Sequence, residues 1–304
     1  MKNKTNEMLK SALCFLTVVG MVACAPKSPN TSAIRSTGSE IVGGTAVSAD
    51  NQIAQMTAIL YDTKQSALCT VSILSDEWVL TAGHCVENST ASSLVVIFTN
   101  DINQLKAGAT ASGLAQSPLA GKTRRVLAFT QNPGYKATMD KIDQMDKDAQ
   151  AKGGELSSAD IDNVKDWGDI TLIHLDGKIP AGYHAATLLG ASHTFKKGES
   201  ITLAGYGIDS KDNSDSAGTL RQVDVTVAEP VWGTTEILFD QTNGKGACHG
   251  DSGGPAYVKN ADGTLALFGV TSRGVRDDAD SCVQFAAYTN MQFYGEWVKN
   301  VSGL

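Results

Sequence analysis

The stretch Cys248-His249-Gly250-Asp251-Ser252-Gly253-Gly254-Pro255 places a serine inside a turn that is rich in glycine. A serine hydroxyl is a weak nucleophile at neutral pH, so it needs a neighbouring base and hydrogen-bond donors for the oxyanion that its attack creates. The glycines permit positive φ angles and close approach of a substrate, and Pro255 stiffens the exit from the turn. The octapeptide therefore predicts a nucleophilic serine at position 252.

Three further segments precede this turn. In chain order they are Ile41-Val42-Gly43-Gly44, Thr81-Ala82-Gly83-His84-Cys85, and Asp169 at the head of the apolar run that ends at Leu175. Together with the serine turn, they resemble the four landmarks of the trypsin/chymotrypsin family of serine proteases in order and in flanking residues. The resemblance covers nearly all of the chain after residue 40.

The resemblance implies a serine endopeptidase with a catalytic triad of Ser252, His84 and Asp169. In that scheme the histidine takes the serine proton, the aspartate orients the imidazole, and an acyl-enzyme forms. The backbone N–H groups of Gly250 and Ser252 are expected to form the oxyanion hole. The alternative from another class is a catalytically silent homologue used as a binding module. Such proteins usually lack a triad member, and none is missing here.

An activation step is implied by the same resemblance. Cleavage after Glu40 would free the α-amino group of Ile41, which in the family folds inward and pairs with the aspartate before the nucleophile, here Asp251. A buried carboxylate without such a partner would be costly. We therefore expect a zymogen that is cut either by another protease or by itself.

The residues that match the family's specificity pocket are uncharged. Gly246 stands where trypsin-type members carry an aspartate that selects Lys or Arg, and Gly274 and Ala286 match further lining positions. Ser272 matches the position beside the catalytic aspartate, where the substrate backbone pairs with an edge segment. We therefore expect no tryptic specificity and a preference for an apolar or aromatic side chain before the scissile bond.

Arg273 departs from the family, in which an aromatic residue is common at this place. Together with Arg276 and His249, it supports a rival expectation, a protease that cleaves after Glu. Both specificities stay open on the sequence alone.

The first 23 residues read as an export signal, with three lysines ahead of an apolar run that is too short to span a bilayer comfortably. The junction Met21-Val22-Ala23-Cys24 resembles the lipobox of bacterial lipoproteins, which implies lipidation of Cys24. An ordinary signal-peptidase site after Ala23 or Ala25 is the alternative. Residues 24–40 are expected to be a propeptide and tether. The protein would then be a cell-envelope lipoprotein before activation, and periplasmic or extracellular afterwards.

The cysteines beyond residue 24 are Cys69, Cys85, Cys248 and Cys282. Four cysteines allow three pairings, and their spacing alone does not choose among them. The family resemblance implies bonds between Cys69 and Cys85 and between Cys248 and Cys282. No Cys-x-x-Cys pair is present, so we expect no metal site, and we expect no cofactor.

The composition argues against a nucleic-acid partner. The formal net charge is −7, and it becomes −10 without residues 1–40, which hold five basic and two acidic residues. There is no basic stripe to neutralise phosphates. The expected partners are a peptide or protein substrate and an activating protease, with membrane contact only through the lipid anchor, and the protein is expected to be a monomer.

Short apolar and β-branched runs, such as Ile53–Tyr61 and Leu265–Ser272, recur between turn residues after position 41. This spacing predicts an all-β fold of antiparallel barrels or sandwiches. The resemblance narrows the prediction to one protease domain, residues 41–304, with two six-stranded Greek-key barrels in halves of about 41–180 and 181–304. Helical spacing predicts a C-terminal helix over residues 291–301.

One region departs from this pattern, residues 136–166, which hold five lysines and eight acidic residues. Its apolar residues recur at helical spacing before a double glycine: Met139, Ile142, Met145 and Ala149, then Gly153-Gly154. This pattern predicts a charged helical hairpin inserted before Asp169. The hairpin is either a solvated surface insertion or an overhang that restricts which substrates enter the cleft.

Overall fold

The computed structural model describes residues 41–103, 121–210, 213–276 and 282–304. The predicted export signal, the lipidation site Cys24, the tether and Glu40 lie outside these residues.

The strands follow one another in the order predicted for an all-β chain. They are β1 Thr45–Ala46, β2 Thr57–Asp62, β3 Ala67–Ile73, β4 Trp78–Thr81, β5 Leu94–Ile97, β6 Thr123–Gln131, β7 Thr171–Leu175, β8 Thr187–Leu188, β9 Ser200–Gly205, β10 Arg221–Trp232, β11 Glu236–Asp240, β12 Pro255–Lys259, β13 Leu265–Val275 and β14 Phe285–Asn290. The α-helices are α1 Gln52–Met56, α2 Pro133–Ala151, α3 Ser158–Asp162 and α4 Gly295–Ser302.

The first barrel closes in the strand order β2-β3-β4-β7-β6-β5, with every pair antiparallel. Alternate residues of the pleated strands point inward, so β-branched and aliphatic side chains fill its interior. Val71, Ile73, Val79 and Ile173 in this core have no exposure. The core is therefore built from the short apolar runs that the sequence shows.

The second barrel follows the order β9-β10-β11-β14-β13-β12 and closes because β12 pairs with β9. Aromatic residues fill much of its interior, with Phe239, Phe268 and Tyr288 in edge or tilted contact with their neighbours. Two short strands extend this sheet: β1 pairs with β10 and β8 pairs with β13. The predicted pair of six-stranded antiparallel barrels is confirmed.

A third apolar cluster lies between the barrels. It joins Ile59 and Leu172 of the first barrel to Tyr257 and Leu267 of the second, and includes Tyr206. The buried Tyr206 hydroxyl donates to the carbonyl of Thr99 at 2.5 Å, so the interface is also hydrogen-bonded. The site residues described below lie on this interface.

The run Ile53–Tyr61 was expected to form one strand, but the structure divides it. The Asn51 side chain accepts the N–H of Ile53 and caps α1, and β2 begins only at Thr57. The C-terminal helix likewise begins later than predicted. A separate 3-10 turn, Met291–Phe293, precedes α4, because the Asn290 side chain caps that turn by accepting the Gln292 N–H.

The predicted helical insertion is present as α2 and α3. Asn132 caps α2 ahead of Pro133, which is favourable in the first turn of a helix, so the helix starts before residue 136. Ser157 and Asp160 form a reciprocal capping box at the start of α3. Among the described residues, no helix combines the length and the hydropathy needed to cross a membrane.

Candidate active site

Asp169 lies immediately before β7 and has no exposure to solvent. Its Oδ2 is 2.8 Å from His84 Nδ1, and its Oδ1 accepts the backbone N–H of His84 at 2.9 Å. The Ser272 hydroxyl donates to Oδ2 at 2.6 Å. His84 belongs to the first barrel and Ser272 to β13 of the second, so one carboxylate joins the two barrels.

The charges of this pair support each other. Burial alone would lower the pKa of His84. The charge and the hydrogen bond of Asp169 oppose this effect, and the net pKa lies above the ordinary value. Burial raises the pKa of Asp169, but the imidazole and the donated hydrogen bonds outweigh it, so the net pKa is lowered. The aspartate is therefore held ionised beside a histidine that readily accepts a proton.

The loop that carries His84 is held from two sides. The disulfide between Cys69 and Cys85 ties it to β3, with an S–S distance of 2.04 Å. A Cβ on Gly83 would lie 2.7 Å from the ring of Tyr135, so only glycine fits between that ring and the loop. The Tyr135 hydroxyl donates to Glu87 at 3.0 Å on the other side of His84 in the chain. These contacts fix the backbone that orients the imidazole.

The turn around Ser252 is held by strands from both barrels. Thr70 of β3 donates its backbone N–H to the Ser252 carbonyl at 2.8 Å and its hydroxyl to the Gly250 carbonyl at 3.0 Å. Thr271 of β13 accepts the Gly253 N–H at 2.9 Å. The turn is therefore a rigid bridge across the interface, as a positioned nucleophile requires.

Glycine is necessary at two points of this turn. Gly253 has φ +78°, and a Cβ there would lie 2.0 Å from the Thr81 hydroxyl. Gly250 has φ +96° and packs against Gly207. Within the described part of the chain, the N–H groups of Gly250 and Ser252 have no protein acceptor. These are the two donors that the sequence assigns to the oxyanion hole.

Ile41 and Asp251, the second of them within the serine turn, are both buried. Ile41 has no exposure, and Val42 forms an isolated bridge with Gly246. The Asp251 carboxylate accepts the N–H groups of Gly207 and Cys248, each at 2.8 Å. Burial nevertheless raises its pKa to about 7.

A cavity of about 480 Å³ opens beside Ser252. Of the predicted pocket residues, Ser272, Arg273, Gly274 and Ala286 line it, and so does His249. In the described residues Gln241, rather than Gly246, contributes to the lining near the serine segment. Three residues of the insertion, Ser158, Ile161 and Asp162, also line the cavity, as does Trp167, which directly follows the insertion.

Arg273 is bound to a carboxylate of the protein. Its Nη1 and Nη2 lie 2.6 and 2.9 Å from the two oxygens of Glu236, whose side chain has no exposure. The guanidinium also lies 4.1 Å from the ring centre of Trp167. Glu236 accepts the backbone N–H groups of Asp166 and Trp167 as well. This network fastens the end of the insertion to the second barrel, directly ahead of Asp169.

Arg276 is also paired. Its Nη2 lies 3.1 Å from Glu229, and its guanidinium lies over the ring of Trp232 at 4.8 Å. Its backbone N–H donates to Asp162 of α3 at 2.7 Å, which anchors that helix at the cavity rim. Both arginines that suggested a Glu-binding pocket therefore have carboxylate partners of their own.

Sequence reasoning missed four residues that shape this site: Thr70, Trp167, Glu236 and Gln241. Thr70 lies in the middle of β3, while Glu236 begins β11 and Gln241 directly follows it. Thr70 and Glu236 act through contacts with segments remote in sequence, and Gln241 through its place in the cavity wall, so no local motif marks them. Trp167 lies two residues before Asp169. A large aromatic residue directly after a charged insertion is the sequence signal that could have identified it as a site residue.

Two clusters of cysteine and histidine atoms have the spacing of a metal site, Cys69–His84–Cys85 and Cys248–His249–Cys282. Their sulfurs are consumed in disulfide bonds, since Cys248 is bonded to Cys282 at 2.09 Å and Cys69 to Cys85. A disulfide sulfur is not the thiolate that binds zinc. The clusters therefore stabilise the loops of the site.

We predict that Asp169→Asn lowers the pKa of His84 by about one to three pH units, because burial then acts without the opposing carboxylate. Titration of the imidazole by NMR, in a Ser252→Ala protein that cannot digest itself, measures the change. Glu87→Gln is the matched control and should lower the pKa by less, since Glu87 contributes only through its charge. An unchanged His84 pKa in Asp169→Asn would contradict the assigned coupling.

Comparison with known proteins agrees with this architecture. The family model described as Trypsin matches residues 41–124 and 130–298. The chain is 25% identical to Brachyurin of Leptuca pugilator over 244 residues, which cover 78% of this chain and 88% of that protein. It is 25% identical to Trypsin 5G1 of Aedes aegypti, covering 92% and 91%, and 25% identical to Tryptase of Mus musculus, covering 96% and 97%. The chain therefore belongs to the trypsin family of serine proteases.

Proposed function

We propose that this protein is an active serine endopeptidase whose triad is Ser252, His84 and Asp169. The observation that carries the proposal is the 2.8 Å contact between His84 Nδ1 and the fully buried Asp169. This contact assigns the proton to Nδ1 and leaves the lone pair on Nε2 for the serine proton.

The proposed reaction uses only groups of this chain. Ser252 Oγ attacks the scissile carbonyl while His84 Nε2 takes its proton, and His84 then returns the proton to the leaving amine. Asp169 stabilises the imidazolium that forms between these steps. The N–H groups of Gly250 and Ser252 bind the oxyanion, and each such donor contributes about 3–4 kcal/mol in related enzymes. Water then releases the acyl group by the reverse sequence.

The first test is covalent labelling of Ser252 together with its substitution. An organophosphate should label one serine per molecule of mature wild-type protein, and Ser252→Ala should abolish labelling and lower kcat by about 10⁶-fold. Ser302→Ala, at the end of α4, is the control and should keep both properties. A folded wild-type protein that is not labelled would instead favour the catalytically silent binding module.

For specificity, we propose an uncharged side chain before the scissile bond, apolar or aromatic. The small residues Gly274 and Ala286 in the cavity lining support this preference. The rival, cleavage after Glu, loses much of its support because Arg273 is bound to Glu236 and Arg276 to Glu229. A guanidinium whose charge is matched by a carboxylate of the protein presents little net charge to a substrate.

We also propose activation by cleavage after Glu40, with Asp251 receiving the freed amino group of Ile41. Burial of both residues and the raised pKa of Asp251 support this step, because the charge of Arg221 offsets the burial of this carboxylate only in part. Residues 1–23 would direct export, and lipidation at Cys24 would hold the precursor at a membrane until this cut releases the domain.

The activation proposal predicts a difference in pH dependence between the uncut and cut forms. The folded-state pKa of Asp251, about 7, lies above its ordinary value of 3.8. Asp251 therefore contributes fully to the free energy of unfolding below pH 3.8, where it is protonated in both states. This contribution, about 4 kcal/mol, is lost as the pH rises from 3.8 through 7. Pairing with the Ile41 amine lowers the pKa and removes most of this loss.

Urea unfolding of both forms at several pH values, in a Ser252→Ala background, measures this difference. The cut form can be prepared through an engineered cleavage site before Ile41. The uncut Asp251→Asn variant should not show this loss of unfolding free energy between acid and neutral pH. Equal pH dependence of the uncut and cut forms would contradict the proposed pair.

For the insertion, we propose that α2 and α3 overhang the cleft and restrict access. Ile161 and Asp162 of α3 line the cavity, and the anchors at Glu236 and Arg276 support a fixed position for that wall. A fixed rim admits an extended peptide more easily than a folded surface loop.

Shortening the hairpin tests this role. Replacing residues 139–162 by a short flexible linker keeps the anchoring segment that ends at Trp167. The variant should raise the rate on a folded protein several-fold relative to a short peptide, because the steric barrier is gone. Ile142→Ala, in α2 and not in the cavity lining, is the control and should leave the ratio unchanged. An unchanged ratio in the shortened variant indicates a purely solvated insertion.

A further inference from the structure

The side chain of Gln241 forms part of the wall beside the nucleophile. Gln241 directly follows β11, and only 1% of its surface is exposed. It nevertheless lines the cavity that contains Ser252 and Ala286. A buried amide in the wall of a substrate cavity contributes directional hydrogen bonds, which set specificity more sharply than apolar contacts do.

The position of Gln241 explains why residue 246 is glycine. A Cβ built on Gly246 would lie 2.2 Å from Gln241 Oε1 and 2.3 Å from its Cδ. The amide therefore occupies the space in which any side chain at position 246 would begin. A polar side chain at this end of the cavity therefore comes from the residue after β11.

The hydrogen bonds of the amide are incomplete. Gln241 Oε1 accepts the N–H of Ala247 at 2.7 Å, and Nε2 donates to the carbonyl of Cys282 at 3.1 Å. A glutamine amide has two N–H donors and two acceptor sites. In the described part of the chain, one donor and one acceptor site of Gln241 therefore have no partner. A substrate side chain that placed an apolar group against this donor and acceptor would leave both buried without a hydrogen bond, which costs binding free energy.

The rest of the cavity favours an apolar body without charge. Gly274 has no side chain and Ala286 has a small one, and the positive charge of Arg273 is matched by Glu236. A phenol ring fits this chemistry, because its hydroxyl both donates and accepts. Resting on the proposed protease function, we infer that Gln241 is a specificity-determining residue that favours tyrosine over phenylalanine before the scissile bond.

The test compares peptides that differ only in this residue, Tyr, Phe, Glu or Lys, with the mature enzyme. The ratio of kcat/KM for Tyr over Phe should lie between about two- and tenfold in the wild type, the effect of one neutral hydrogen bond. Gln241→Leu should bring this ratio to one or below. Gln241→Glu keeps the acceptor for the Ala247 N–H and adds a carboxylate, so it should gain cleavage after Lys.

Gln52→Leu is the matched control. The Gln52 amide also accepts a backbone N–H, from Leu265 at 3.2 Å, and donates to a backbone carbonyl, that of Gly263 at 3.0 Å, but it lies outside the cavity. Its substitution should leave the ratio at the wild-type value.

Organophosphate labelling of Ser252 distinguishes a failure of the proposed protease function from a failure of the role inferred for Gln241. If wild-type protein is not labelled, the protease function fails and this inference fails with it. If it is labelled but the wild-type ratio is one, or is unchanged in Gln241→Leu, the role of Gln241 alone is overturned. Should Gln241→Leu not fold, the result for Gln241→Glu decides, because unaltered discrimination against Lys contradicts the assignment.

Discussion

The structure depends on one buried carboxylate, that of Asp169, at the junction of the two barrels. Burying an ionised group is costly unless its charge and lone pairs are matched. Asp169 meets this requirement through His84 of the first barrel and Ser272 of the second, while Thr289 donates to its carbonyl at 3.1 Å. The barrels must therefore dock in one relative position for the carboxylate to be satisfied, and that position is the one that orients the imidazole.

The same interface holds the serine turn. Thr70 from one barrel and Thr271 from the other bind the two sides of one peptide group, that between Ser252 and Gly253, and glycine at 253 lets the strands approach closely. Rigidity at such a turn is useful because catalysis needs donors and nucleophile aligned before the substrate arrives. The stability of the interface and the geometry of the site thus arise from the same contacts.

The insertion is fastened to the second barrel without disturbing that centre. Arg273 binds Glu236 and stacks on Trp167, which directly follows the insertion. Trp167 thereby adds aromatic surface to the cavity, and a buried ion pair holds it there. Such pairs add little net stability but define one geometry, because breaking them leaves a charge buried. We regard this pair as the element that couples the insertion to the cleft.

The serine turn, an all-β chain and the helical hairpin could be predicted from the sequence, because glycine turns, short apolar runs and helical periodicity are local physical signals. The runs alone left barrels and sandwiches open, and the two six-stranded barrels were implied by the family resemblance. Contacts between segments that are far apart in the sequence have no such local signal. The capped helix that replaces the start of the run Ile53–Tyr61, the pairing of β1 with the second barrel, and the paired state of Arg273 all depend on neighbours far along the chain. The motifs identify which residues could perform the chemistry. That Gln241 fills the space at Gly246 follows from the folded chain, because close packing, and not spacing along the chain, selects which side chain reaches a cavity.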